Sequence, residues 1–181
     1  MLKDCTAWPE EFACRYRQQG YWANITLPDM LANSIRAAPE RIALVHGERR
    51  LSYRHLGVAI DRLAGRLIDL GLRPLDRVVF QLPNSIEFVI TFFALLRIGV
   101  IPVLALPAHR REEISHFVAH AEAVGYVVPD VWHGFDYRRL AAEISAGAAS
   151  PCRVLVLGEP GANQISLTDL LAGDGGGDAG R

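Results

Sequence analysis

Residues 82–113, LPNSIEFVITFFALLRIGVIPVLALPAHRREE, hold the densest apolar run in the chain, and that run changes character halfway. Pro83, Asn84 and Ser85 read as a turn that caps a helix, with Glu87 in the first turn, where the helix dipole favours an acid. Phe88, Phe92, Leu95 and Leu96 follow at helical spacing as far as a stop at Gly99. Residues 100–106, VIPVLAL, are short, apolar and rich in β-branched side chains, the pattern of a strand buried on both faces. Pro107 ends it, and the charged segment from Ala108 to Glu113 begins the next element. The stretch therefore predicts a helix, a buried strand and a polar loop leaving the strand's carboxyl end. In open α/β sheets that loop position is where ligands bind. A membrane span is rejected, because Arg97 falls near the middle of residues 88–106 and Gly99 and Pro102 interrupt them.

The rest of the chain repeats the alternation. A short helix is expected over 10–19, with Phe12 and Tyr16 on one face and a stop at Gly20, and a second over 30–38, opened by Leu27, Pro28 and Asp29. Residues 41–46 read as a strand, Gly47 and Glu48 as a turn, and 49–51 as a returning strand. Ser52 caps a long amphipathic helix, in which Leu56, Ile60, Leu63, Leu67 and Leu70 recur at spacings of three and four before Gly71. Strands follow at 77–81, 125–128 and 153–157, helices at 112–123 and 137–145, and a last helical turn at 167–171. Strands that are continuous apolar runs between helices imply βαβ units, hence an α/β fold with a mainly parallel sheet covered by helices on both faces.

A length of 181 residues suits one domain or a piece of something larger, and 50% hydrophobic residues supply a sizeable core. A net charge of −1 excludes binding to nucleic acid by broad phosphate neutralisation. Cys5, Cys14 and Cys152 are odd in number and scattered, so neither a zinc site nor a disulfide framework is expected. The first residues lack an apolar signal core, which makes the expected location the cytoplasm and leaves the Asn24-Ile25-Thr26 acceptor pattern without meaning.

Few residues point to chemistry. Residues 175–180 match G-x-G-x-x-G formally, but the chain stops at Arg181 with no helix to follow, so 173–181 reads as a flexible glycine-rich tail. Glu112, His116 and His120 recur every four residues and share a helical face. Their span of about 12 Å is too long for all three to meet one metal ion, so no metal site is expected. His109 and Arg110, just past the apolar strand, are the candidate substrate-binding residues, able to meet an anionic or aromatic ligand; an ordinary basic loop explains them equally well. No nucleophile elbow, phosphate-binding P-loop or H-E-x-x-H is present, and no catalytic residue emerges.

Several segments taken together resemble the AMP-forming adenylating superfamily of acyl and aryl acid ligases. They are R-R-L-S-Y-R-H-L at 49–56, V-F-Q-L-P-N-S with Glu87 and Phe88, and A-L-L-R-I-G-V-I-P-V at 94–103. Within that superfamily, A-L-P-A-H-R at 105–110 followed by Glu113 and Ile114 is similar to the aryl acid AMP ligases that activate 2,3-dihydroxybenzoate or salicylate for siderophores. Trp8-Pro9, Tyr16, Gly20-Tyr21-Trp22 and G-F-D-Y-R at 134–138 add to that likeness.

The resemblance implies that residues 1–172 form an incomplete N-terminal α/β subdomain, roughly the first third of such an enzyme. It implies ATP and magnesium as requirements of the full-length enzyme, neither bound tightly by this portion, and an aryl acid and an aryl carrier protein as partners, with no nucleic acid and no membrane. The family's phosphate loop, aryl pocket and catalytic lysine would lie downstream, so no catalytic role maps onto any position here. A self-standing binding module and another acyl-CoA synthetase-type ligase are the alternatives. A subdomain of this kind is expected to leave an apolar edge or helix face uncovered.

Overall fold

The structure, a computed structural model, describes residues 6–172. Cys5 and the expected glycine-rich tail, with its G-x-G-x-x-G match, lie outside the described residues.

The amino-terminal part is a pair of helices, α1 (Glu10–Gln18) and α2 (Leu27–Ala37). Trp8 and Trp22 meet Tyr16 edge-on, and Phe12 stacks against it, so one face of α1 is an aromatic cluster. The α2 helix begins three residues earlier than the sequence suggests. The hydroxyl of Thr26 accepts from the Asp29 N–H at 3.3 Å, while the Asp29 carboxylate accepts from the Thr26 N–H at 3.1 Å. That reciprocal pair satisfies helix-end donors and fixes the start.

A two-stranded antiparallel hairpin follows, β1 (Ile42–His46) and β2 (Arg49–Ser52), turning through Gly47 at φ 58°. The Ser52 hydroxyl then caps α3 (Tyr53–Asp69) by accepting from the His55 N–H. Leu56, Ile60, Leu63 and Leu67 of α3 are all buried, as their spacing predicts.

The remaining strands are β3 (Arg77–Phe80), β4 (Ile101–Leu104), β5 (Gly125–Pro129), β6 (Val131–Trp132), β7 (Phe135–Asp136), β8 (Arg153–Leu157) and β9 (Ile165–Ser166). Between and after them run α4 (Ile86–Arg97), α5 (Arg111–His120), α6 (Tyr137–Gly147) and α7 (Leu167–Ala172). Five strands form one sheet in the order β4-β3-β5-β8-β9, every neighbouring pair parallel; β6 and β7 make a separate small hairpin.

Side chains alternate across the sheet. Val78, Phe80, Val127 and Leu155 pack with α3, α4 and α7, while Val79, Tyr126, Val128, Val154 and Val156 pack with α5 and α6. Both faces are covered, which is why these strands read as unbroken apolar runs. Arg66 of α3 donates to the carbonyls of Asp169 and Leu170 at 2.9 and 2.8 Å, tying α7 onto this layer. No helix among the described residues is long and apolar enough to cross a membrane.

One expectation is corrected. The strand at 100–106 is not buried on both faces: β4 is an edge strand of partly exposed residues, with Leu104 57% exposed and Leu106, beyond its end, 63% exposed. The β4 strand pairs with β3 alone among the described residues, and Pro102, which has no N–H to donate, suits an edge position. Leu104 and Leu106 leave an apolar edge exposed among the described residues.

An ion pair ties the hairpin to α4. Arg49 Nη1 lies 2.7 Å from Glu87 Oε1. Burial alone would raise the Glu87 carboxyl above its ordinary 4.5, but the hydrogen bond from Arg49 and its own backbone N–H outweigh that and hold it lower. A depressed carboxyl contributes stability that is present above its ordinary value and lost as pH falls through the folded value. Glu87→Gln is therefore expected to lower the urea midpoint at pH 7, and the gap from the parent chain should close as the pH drops below 4.5. A gap independent of pH would show that the pair contributes nothing through charge.

Candidate functional site at the carboxyl edge of the sheet

The chain leaves β3 toward α4 on one face of the sheet, and leaves β4 and β5 toward α5 and α6 on the other. Loops departing to opposite faces open a crevice beside the carboxyl end of β3. Gln81, the residue after β3, sits in it and is completely buried. Its Nε2 donates to the carbonyls of Leu106 and His109 at 2.7 and 3.0 Å, and its Oε1 accepts from the hydroxyl of Tyr126. Burial pushes the Tyr126 phenol well above its usual range, so it stays a neutral donor to that amide. One side chain thus links the end of β3, the loop after β4 and Tyr126 of β5.

The loop after β4 is fixed from its other side too. The hydroxyl of Tyr137, at the start of α6, donates to the Pro107 carbonyl at 2.6 Å. The Glu113 carboxylate accepts from the Arg110 N–H at 2.9 Å and caps α5, which holds that carboxyl below the ordinary glutamate value.

Of the two candidate residues, Arg110 is committed to the loop itself. Its Nη1 donates to the carbonyls of Pro107 and His109 at 2.6 and 2.8 Å, and its guanidinium lies 4.0 Å from the centre of the Phe135 ring. His109 is half-buried against the edge of Phe117, ring centres 5.4 Å apart. Its Nδ1 accepts from the Leu106 N–H at 3.2 Å, which places the proton of the neutral ring on Nε2. That Nε2–H has no hydrogen-bond partner among the described residues. The two neighbours thus make different contacts: Arg110 clamps the loop, and the His109 Nε2–H keeps no partner among the described residues.

Beside the loop, a cleft of about 490 Å³ is lined by Arg110, Arg111, Phe135, Asp136, Arg139 and Glu143. Asp136 already binds Arg138 at 2.9 Å, which depresses its carboxyl, so the lining carries three guanidinium groups against Glu143 and the paired Asp136. Cys14 is an exposed free thiol; Cys152 is a buried one, pushed up to about 11 by burial and thus inert as a nucleophile. Among the described residues no group of three His, Cys, Asp or Glu side chains is placed to hold a metal ion.

A model of the AMP-binding enzyme family matches residues 31–170, well over half of the chain. The chain belongs to the AMP-binding enzyme family. Relatives in that family include triostin synthetase I of Streptomyces triostinicus, 49% identical over 96% of this chain and 32% of the relative. The 2,3-dihydroxybenzoate-AMP ligase of Bacillus subtilis is 45% identical over 95% of this chain and 32% of that protein. Among solved structures, apo MbtA of Mycobacterium smegmatis superposes with a TM-score of 0.86 at 37% identity, over 95% of this chain and 32% of that one. The chain thus spans about a third of the length of the curated relatives it matches.

The resemblance read from the sequence segments holds at the level of family and fold. Gln81 and Tyr126 were not singled out from sequence. The available signal was a glutamine directly after a short apolar strand, and its partners lie 25 and 28 residues further along for the loop carbonyls and 45 for Tyr126.

Proposed function

We propose that this chain is the N-terminal portion of an aryl acid AMP ligase whose parent enzyme activates 2,3-dihydroxybenzoate or salicylate and serves siderophore biosynthesis in the cytoplasm. The observation that carries this reading is the match to the 2,3-dihydroxybenzoate-AMP ligase along almost the whole chain. The A-L-P-A-H-R loop at the carboxyl edge of the sheet agrees with it.

The parent's reaction has two steps. A carboxylate oxygen of the aryl acid attacks the α-phosphorus of ATP, whose bond to the bridging oxygen breaks, giving aryl-AMP and pyrophosphate. The phosphopantetheine thiol of a carrier protein, losing its proton, then attacks the acyl carbon and displaces AMP. Magnesium supplies charge neutralisation on the phosphates when bound.

Within this portion the work is positional. Gln81 and Arg110 hold the loop rigid at the sheet edge, and His109 offers its Nε2–H toward a ligand atom. Stabilisation of charge at phosphorus is the task of residues beyond this portion, so the chain alone binds ATP and aryl acid weakly and does not adenylate.

ATP–pyrophosphate exchange tests both statements. The parent enzyme is expected to exchange with 2,3-dihydroxybenzoate or salicylate and not with fatty acids, while the purified 181-residue chain shows none. A parent that prefers a fatty acid would place it with the acyl-CoA synthetases. Exchange that scales with the isolated chain would overturn the fragment reading.

A further inference from the structure

Two histidines on α5 are left unused by everything above. His116 and His120 are exposed, one helical turn apart, and their rings lie nearly parallel, with a 13° interplanar angle and centres 5.4 Å apart. Neither ring has a hydrogen-bond or ion-pair partner among the described residues, so four imidazole nitrogens face solvent uncommitted. A zinc ion bound through one nitrogen of each ring at about 2.0–2.1 Å, with tetrahedral angles, sets ring centres roughly 5 Å apart. The observed separation is close to that value, but the rings are stacked, and a metal lies in the plane of each imidazole it binds, so both exposed side chains must rotate to aim one nitrogen each at a common point. The helix backbone needs no change, because residues four apart lie on the same face.

We propose that His116 and His120 chelate one divalent transition-metal ion of the copper, nickel or zinc class, with water filling its other positions. Imidazole selects these borderline ions over magnesium and calcium, which prefer oxygen ligands. Glu112, one turn further back, is not part of the site: it stands two turns from His120, about 12 Å along the helix, and no group of three ligands forms among the described residues.

The test is calorimetric titration of the 181-residue chain with zinc chloride in a non-coordinating buffer, with circular dichroism as a check that each variant is folded. One equivalent of zinc is expected to bind, and His116→Asn or His120→Asn each weaken it by at least about tenfold. His133→Asn, Cys14→Ser and Glu112→Gln leave the affinity unchanged, and magnesium chloride gives no binding. Unchanged zinc affinity in either of the first two variants overturns the proposal, as does equal loss in His133→Asn or Cys14→Ser. Equal loss in Glu112→Gln overturns the two-ligand assignment.

Discussion

Phe80→Ala is expected to lower the stability of the chain by about 3–5 kcal/mol. Phe80 ends strand β3, between β4 and β5, is completely buried, and meets the ring of Phe88 edge-on at 4.9 Å and that of Phe92 at 6.4 Å. Truncation removes the transfer energy of a full ring and leaves a cavity between β3 and α4. Both are elements of one packed layer, so neighbouring side chains collapse into it only in part. Urea unfolding followed by circular dichroism measures the effect. A loss under about 1 kcal/mol would mean the sheet and α4 are not packed as described.

Gln81→Leu is expected to cost about 2–5 kcal/mol although it exchanges a polar core residue for an apolar one of similar size. The substitution takes from the Leu106 carbonyl and the Tyr126 hydroxyl the side-chain partner they have now, and leaves the His109 carbonyl with Arg110 alone. Buried groups deprived of one partner lose more than the bond contributed. Tyr126→Phe should cost less, since it strips one contact and leaves the two loop carbonyls satisfied. Measured together, the two single variants and the double variant should show coupling, because both side chains belong to one network. Strict additivity would mean that the amide and the phenol act independently. Hydrogen exchange offers a second readout: the amide of Leu106 should lose protection in Gln81→Leu.

How much of this could be read beforehand depended on where the partners lie. The long helix α3 was legible because Leu56, Ile60, Leu63 and Leu67 make a local pattern bracketed by Ser52 and Gly71. The strands β3, β5 and β8 were legible because both their faces are covered by this same chain. The apolar run around β4 marked a strand but not its place in the sheet. An apolar run is the same whether one face or both are covered, and the described residues leave that edge open. The start of α2 lies at Leu27 rather than Met30 because the reciprocal bonds between Thr26 and Asp29 make Thr26 the cap. Strands of two residues, such as β6, β7 and β9, have too few side chains to show any period.

The site divides along the same line. His109 and Arg110 were found by position, as polar residues just past an apolar strand. Their different roles were not, because Arg110 is held by Phe135 and by carbonyls of its own loop, and His109 by the Leu106 N–H. Gln81 reads from sequence only as the end of a strand, since a polar residue there ordinarily marks a boundary with solvent. Here it is buried among groups that arrive from two other strands.

The most direct measurement replaces the matching first third of the Bacillus subtilis 2,3-dihydroxybenzoate-AMP ligase by residues 1–172 of this chain and assays ATP–pyrophosphate exchange. If these residues are the N-terminal subdomain of an aryl acid AMP ligase, the folded chimera exchanges pyrophosphate in response to 2,3-dihydroxybenzoate. A soluble, cooperatively folding chimera without aryl-acid-dependent exchange would contradict the account.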